Sequence, residues 1–222
     1  EKLQSNLSIH SYLYVIAKYE VYNHFRSKQN QIVDRFLDGV HDTVVTPSAE
    51  NELFWNEMQK AIADTIETIG DETFKGCVAI QTIKLPDSVT IIGKGAFESC
   101  VALRTVEYSV NLLEIRDTAF KGCTGFRSNV FPLTLEKIGA SAFEECQSFR
   151  STIIPFNVTS IGNKAFFHCY GIETLTIDSL QLTNCGTAIF DECLIREVVF
   201  PEGIKVIPAN LFSQAGFTTD CV

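Results

Sequence analysis

Apolar positions in the last two-thirds of the chain recur at a fixed interval. Phe74, Phe97, Phe120, Phe143, Phe166, Phe190 and Phe212 are spaced 23, 23, 23, 23, 24 and 22 apart. Each lies in a block of the form I-G-x-x-A-F-x-x-C. The copies read IGDETFKGC, IGKGAFESC, IRDTAFKGC, IGASAFEEC and IGNKAFFHC. A sixth, CGTAIFDEC, is degraded, and a seventh, IPANLFSQA, has no cysteine. Between blocks, the third residue after the cysteine is apolar: Ile80, Leu103, Phe126, Phe149 and Ile172. The sixth and eighth then alternate with polar neighbours, as in Ile83/Leu85, Val106/Tyr108 and Leu175/Ile177. That alternation is the period of a half-buried strand. Pro86, Pro132, Pro155 and Pro201 often close it, and proline, which has no N–H for a ladder, suits a strand end.

The segment 1–66 follows another rhythm. Ser11–Arg26 carries apolar residues at 12, 13, 15, 16, 19, 22 and 25, a helical stripe. Asn51–Thr68 has the same pattern with Leu53, Phe54, Met58, Ile62 and Ile66. Ser48, after Pro47 and before Glu52, is a suitable cap for that helix. The stretch between is more polar, with a shorter helical piece around Ile32–Leu37.

The pattern therefore predicts two parts: a helical segment over 1–66 and a repeat domain over 67–222. One repeat unit provides one strand, one turn and a short helical or 3-10 piece at A-F-x-x-C. Alone it cannot bury its apolar side. Stacked coils lay each Ile, Ala, Phe and Cys over its equivalent and form a continuous core. About seven coils at a strand spacing of ~4.8 Å would span about 35 Å.

These blocks resemble the BspA-type leucine-rich-repeat family, whose unit reads I-G-x-x-A-F-x-x-C-x-x-L-x-x-I-x-I-P-x-x-V. The resemblance covers roughly residues 66–217. It implies an α/β repeat fold, a right-handed solenoid used for adhesion or protein binding, often at cell surfaces, with no shared catalytic residues. Departures are Asn129 at an inward strand position and the eroded last two coils. Residues 1–68 resemble a fragment of a bacterial sigma factor of the extracytoplasmic-function type. SYLYVIAKYEVYNHFRSKQ is similar to the end of its promoter-melting domain, and SAENELFWNEMQKAIADTIE to the first helix of its second DNA-binding domain. That resemblance implies contact with RNA polymerase or promoter DNA, with Lys18, Tyr19, His24, Arg26 and Lys28 in the nucleic-acid region. The polymerase-gripping helices are missing, however, and the repeat begins where a helix-turn-helix should. The plainer reading makes these residues the solvated face of helices that cover the first coil.

Charge narrows the partners. The net charge is −9. Residues 1–66 hold 6 Lys/Arg against 9 Asp/Glu, and the remainder 12 against 18. Neither part offers a general basic field for nucleic acid. No apolar run is long enough to predict a membrane span. Glu1 at the start and Cys221-Val222 at the end suggest a fragment.

Eight cysteines raise the question of cross-links. Cys77, Cys100, Cys123, Cys146 and Cys169 follow the same interval as the phenylalanines, and Cys193 comes one position late, so they belong to the repeat. A column of small thiols packed in the core is the simplest reading. Metal sites usually need close pairs such as C-x-x-C, and parallel stacked side chains are poorly aimed for disulfides. Cys185 and Cys221 lie off the column. Reduced thiols and the sigma-like segment point to the cytoplasm; the repeat family points to the surface.

No phosphate loop, nucleophile elbow or H-E-x-x-H motif occurs, and no cofactor or metal is expected. The chain is read as a non-enzyme. His168, Glu144-Glu145 and Asp191-Glu192 fall at block positions expected to face outward. Asn6-Leu7-Ser8 and Asn157-Val158-Thr159 fit a glycosylation pattern that needs a secretory context. Candidate binding residues lie on the outward strand face. Position four after the cysteine gives Arg104, Arg127 and Arg150, with Arg196 equivalent after a one-residue deletion. Position seven gives exposed Val130 and Ile153. Arginine beside apolar surface is a common interface composition. A solubilising strip with β-branched residues suited to strands is the plainer alternative. The expected partner is a protein or glycan.

Overall fold

The computed structural model describes residues 66–127, 130–208, 210–212 and 215. These residues form a parallel β-solenoid. The first sheet has six strands, one per coil: β1 (Thr68–Ile69), β3 (Ile91–Ile92), β5 (Glu114–Ile115), β6 (Lys137–Ile138), β8 (Ser160–Ile161) and β10 (Asn184–Cys185). The second side is built from β2 (Thr82–Lys84) paired with β4 (Thr105–Glu107), and from β7 (Ser151–Ile154), β9 (Thr174–Ile177) and β11 (Glu197–Val199). Among the described residues these pair as two runs, and residues 128 and 129 of the third coil between them are not described.

Register equals the repeat. Thr68 pairs with Ile91, Glu114 with Lys137, and Thr82 with Thr105, each one repeat further along the chain. Every inward side chain therefore meets its own equivalent. The phenylalanines form a ladder: Phe74, Phe97, Phe120, Phe143, Phe166 and Phe190 stack with centroids 5.1–5.3 Å apart and planes within 11°. All six are fully buried. Phe212 extends the stack at 6.1 Å.

Two expectations need correction. Each regular coil has two strands, because the Ile before each block glycine is a strand residue in its own right. The A-F-x-x-C stretch, expected to be helical or 3-10, is a run of turns. Its backbone shows why. Thr73, Lys75 and Cys77 donate to carbonyls three residues back, while Glu72, Phe74 and Gly76 donate across to Lys94, Ala96 and Glu98 of the next coil. A helix would send every N–H along its own axis. Left-handed residues recur at block positions four and eight, as at Gly95 (φ 60°) and Ser99 (φ 61°), or Ser141 (φ 53°) and Glu145 (φ 64°). Such single left-handed residues stop helix propagation. Among the described residues no helix occurs. The expected helical segment over 1–66 lies outside them.

The count of about seven coils also changes. Six coils contribute strands to the first sheet. The seventh supplies buried Leu211 and stacked Phe212 but no described strand.

Candidate binding face

The outward side of the second-sheet strands is positioned by the inward one. In β7 and β9 the side chains alternate, with Thr152, Ile154, Leu175 and Ile177 inside. Ser151, Ile153, Thr174 and Thr176 therefore face outward, and the residue before each strand points away from the core as well. Arg104, Arg150 and Arg196 occupy that preceding position, Arg127 is their equivalent one repeat away, and all four are exposed. Arg127 N–H donates to the Arg104 carbonyl at 2.9 Å, and Glu173 N–H to the Arg150 carbonyl at 2.9 Å. The column is thus tied coil to coil through its backbone.

Its charges are unevenly matched. Glu173 bridges its two neighbours, 3.6 Å from Arg150 and 3.8 Å from Arg196. Exposed pairs of this kind contribute little, about 0–1 kcal/mol. Among the described residues, neither Arg104 nor Arg127 has a carboxylate within ion-pair distance. Arg127 and Arg150 together line a shallow depression of about 460 Å³ with Gln147, Ser148, Tyr170 and Gly171. Val130 (78% exposed) and Ile153 (46%) occupy the next outward column. The expected residues therefore share one face, though Val130 adjoins the gap where residues 128 and 129 are not described. Lys18, Tyr19, His24, Arg26 and Lys28 lie outside the described residues.

The thiol column is a hydrogen-bonded core feature. Cys100, Cys123, Cys146, Cys169 and Cys193 each donate S–H to a phenylalanine carbonyl of the preceding coil, at 3.0–3.2 Å. Burial pushes the Cys146 and Cys169 thiols well up and Cys193 to about 12. Off the column, Cys185 takes the inward position filled by isoleucine in earlier coils, and burial pushes its thiol up to about 11.

Sequence reasoning misplaced Glu144. Expected outward beside Glu145, its side chain is instead nearly covered and bonds Lys121 at 2.9 Å. Burial alone would raise its carboxyl; hydrogen bonds from Ser141 and Lys121 outweigh that and hold it below the ordinary value. The same block position reads Lys75, Glu98, Lys121, Glu144, with Lys75 also 3.2 Å from Glu98. This alternating ladder could have been found by reading each block column down the repeats. Asn157, in the possible glycosylation site, donates its amide to the Leu133 carbonyl at 2.8 Å and so already serves the stack.

The one-repeat register, the parallel sheets and the I-G-x-x-A-F-x-x-C blocks agree with comparison to known proteins. A family model described as "BspA type Leucine rich repeat region (6 copies)" matches residues 51–173 and 136–220. The chain belongs to the BspA-type leucine-rich-repeat family. Among solved structures, a leucine-rich repeat protein of T. pallidum is similar, with 28% identity, a TM-score of 0.52 and coverage of 57% of this chain and 70% of that one. A leucine-rich repeat protein from Bacteroides ovatus has 24% identity and a TM-score of 0.47, covering 62% and 47%. A leucine rich cell surface protein from Faecalibacterium prausnitzii has 24% identity and a TM-score of 0.44, covering 60% and 43%. No curated protein matches the chain.

The BspA-type register also exposes a groove the sequence reading missed. It runs along the first sheet for about 610 Å³, over Gly139, Gly162 and Gly186, between Lys137, Arg116 and Asn184. The signal was the glycine that follows the strand Ile in most coils. A side chain at Gly162 would place its Cβ 2.4 Å from the Ala140 nitrogen, so glycine here is required by coil-to-coil approach. The groove follows from packing, and its mixed charges favour no ligand.

Proposed function

We propose that this chain is a non-enzymatic binding scaffold that engages a protein or glycan partner through its second-sheet face. The observation that carries this is the exposed column Arg104, Arg127, Arg150 and Arg196 beside exposed Val130 and Ile153, on coils whose inward residues fix their spacing. Leucine-rich repeats generally serve as binding modules, which supports the reading. Arginine and apolar groups together are favoured at interface centres.

The test is a protein and glycan array probed with the full chain. Arg127→Glu with Arg150→Glu is expected to abolish capture. Lys137→Glu on the first sheet is expected to preserve it. Capture that survives the double variant sinks this face. A second reading rests on the sigma-like wording of residues 1–68: a transcription-related protein touching RNA polymerase or promoter DNA. Recovery of polymerase subunits with the full chain would support it, and their absence would remove it.

A further inference from the structure

We infer that the depression between Arg127, Arg150, Gln147 and Tyr170 is a subsite for an acidic sugar, a pyranose bearing a carboxylate. The inference deepens the binding-face reading and rests on it. Gln147 and Tyr170 occupy one repeat position on neighbouring coils, directly after the cysteine. Arg127 and Arg150 occupy another, three residues further along, also on neighbouring coils. Four side chains from three successive coils thus frame one concavity of about 460 Å³. That volume lies within the range of small-ligand sites, about 300–1,000 Å³.

The fifth coil departs from its siblings here. Where others read FKGCV, FESCV, FKGCT or FEECQ, it reads FFHCY. The substitutions form a row. Lys164 Nζ lies 4.9 Å over the Phe167 ring, Phe167 stacks on His168 at 3.8 Å, and His168 on Tyr170 at 5.4 Å and 19°. The row holds the Tyr170 ring in place at the rim while leaving it 41% exposed. Beside it, Gly171 approaches the preceding coil so closely that an added Cβ would meet the Phe149 carbonyl oxygen. No side chain can fill the floor there.

The chemistry converges on one ligand type. A guanidinium presents a rigid fork matched to carboxylate oxygens. Arg127 has no carboxylate partner among the described residues, and Arg150 is held only by Glu173 at 3.6 Å, an exposed pair easily displaced. A fixed, half-exposed phenol ring is a shelf for the C–H face of a sugar. The Gln147 amide offers both donor and acceptor to hydroxyls. Ser148 already donates to the Thr124 carbonyl at 2.6 Å, so it can only accept further. An acidic peptide would use the arginines but has no need of the flat shelf.

The experiment is calorimetric titration of the full chain with α-1,4-linked tetragalacturonate, its methyl-esterified form and penta-glutamate. The free acid is expected to bind, and the ester, which keeps the rings and loses the charge, at least about tenfold more weakly. Arg127→Ala and Arg150→Ala should each weaken binding about tenfold, the scale of a lost charge-assisted hydrogen bond. Tyr170→Ala should weaken it about fivefold and Tyr170→Phe, which keeps the ring, less than about twofold, while Lys137→Ala on the first sheet leaves it unchanged. All these residues are exposed, and matching unfolding temperatures would confirm intact folding. Absence of binding, equal binding of the ester, indifference to the arginine variants, or tighter binding of penta-glutamate each overturns the assignment. If the array partner is lost in Arg127→Glu with Arg150→Glu but tetragalacturonate never binds, the face stands and the acidic-sugar subsite falls. If tetragalacturonate binds at these arginines but the array captures nothing, the subsite stands and the broader face falls.

Discussion

The two strand-bearing sides of the solenoid differ although one repeat encodes both. The first sheet runs through six coils without interruption. On the second side the described strands form two runs, β2-β4 and β7-β9-β11, on either side of the third coil, whose residues 128 and 129 are not described. Strand length differs: first-sheet strands have two residues and second-sheet strands three or four. So do the inward residues. On the first sheet they read Ile69, Ile92, Ile115, Ile138 and Ile161, all buried. At the sixth position after the cysteine, the second side reads Ile83, Val106, Asn129, Thr152 and Leu175. Two consecutive coils thus put polar groups where the repeat calls for aliphatics. A parallel ladder stacks one coil's residue on its equivalent, and Thr152 keeps that register opposite Leu175 despite its hydroxyl.

The phenylalanine ladder of the turn blocks should be the hardest part to lose. Phe120 stacks on Phe97 and Phe143 and also meets Tyr108 and Phe126. Phe120→Ala is expected to cost about 3–5 kcal/mol, measured by urea unfolding, with collapse of several coils together. A cost below about 1 kcal/mol would show that the stack is not the common support. Raising the pH attacks the same turn blocks through the thiols. Cys146, Cys169 and Cys193 have folded values raised by burial, so the folded chain holds their protons longer than the unfolded chain does. Their stabilising contribution is complete below the unfolded thiol value, about 8.5, and is lost as pH rises from there toward the folded values, Cys193 to about 12. Each pH unit in that window removes about 1.4 kcal/mol per thiol. Unfolding midpoints followed from pH 7 to 11 should fall beyond pH ~8.5, and a flat profile would contradict the buried, S–H-donating column.

Much of this architecture was legible because it is periodic. The phenylalanine, cysteine and second-sheet positions could be numbered from spacing alone, and so could the outward arginines. What spacing could not reveal was direction of hydrogen bonding. The A-F-x-x-C wording looks helical, yet alternate N–H groups leave for the next coil, and only left-handed positions such as Ser99 and Glu145 signal it. The first-sheet strands were hidden because two residues are too few to show an alternation. The Tyr170 shelf was missed because aromatic residues in one coil look like noise against the consensus until their rings are seen in a row.

Gly162 tests whether coil spacing limits the first sheet as strictly as its continuity suggests. An added methyl would meet the Ala140 nitrogen at 2.4 Å and its Cα at 2.7 Å, both backbone atoms that cannot swing aside. Gly162→Ala is expected to cost about 1–3 kcal/mol in the same urea assay, the usual cost of overpacking. The third coil carries Arg116 at this position, so a neutral result would mean that coils separate easily and that the glycine column reflects something other than contact.

The second side yields the smallest effect and the opposite sign. Thr152 is fully buried in β7, and its hydroxyl finds no hydrogen-bond partner among the described residues. The Tyr108 hydroxyl, two coils earlier, likewise finds no partner among the described residues, and burial pushes its phenol well above the ordinary value. A buried hydroxyl without a partner costs about 1–3 kcal/mol, and valine has nearly the shape of threonine. Thr152→Val should therefore stabilise the chain by about 1 kcal/mol, a gain read directly as a higher urea midpoint at unchanged slope. It should also extend the aliphatic column that the first sheet already has, bringing the two sides closer in character. A destabilised Thr152→Val would mean instead that the hydroxyl makes a bond that supports this side of the coil.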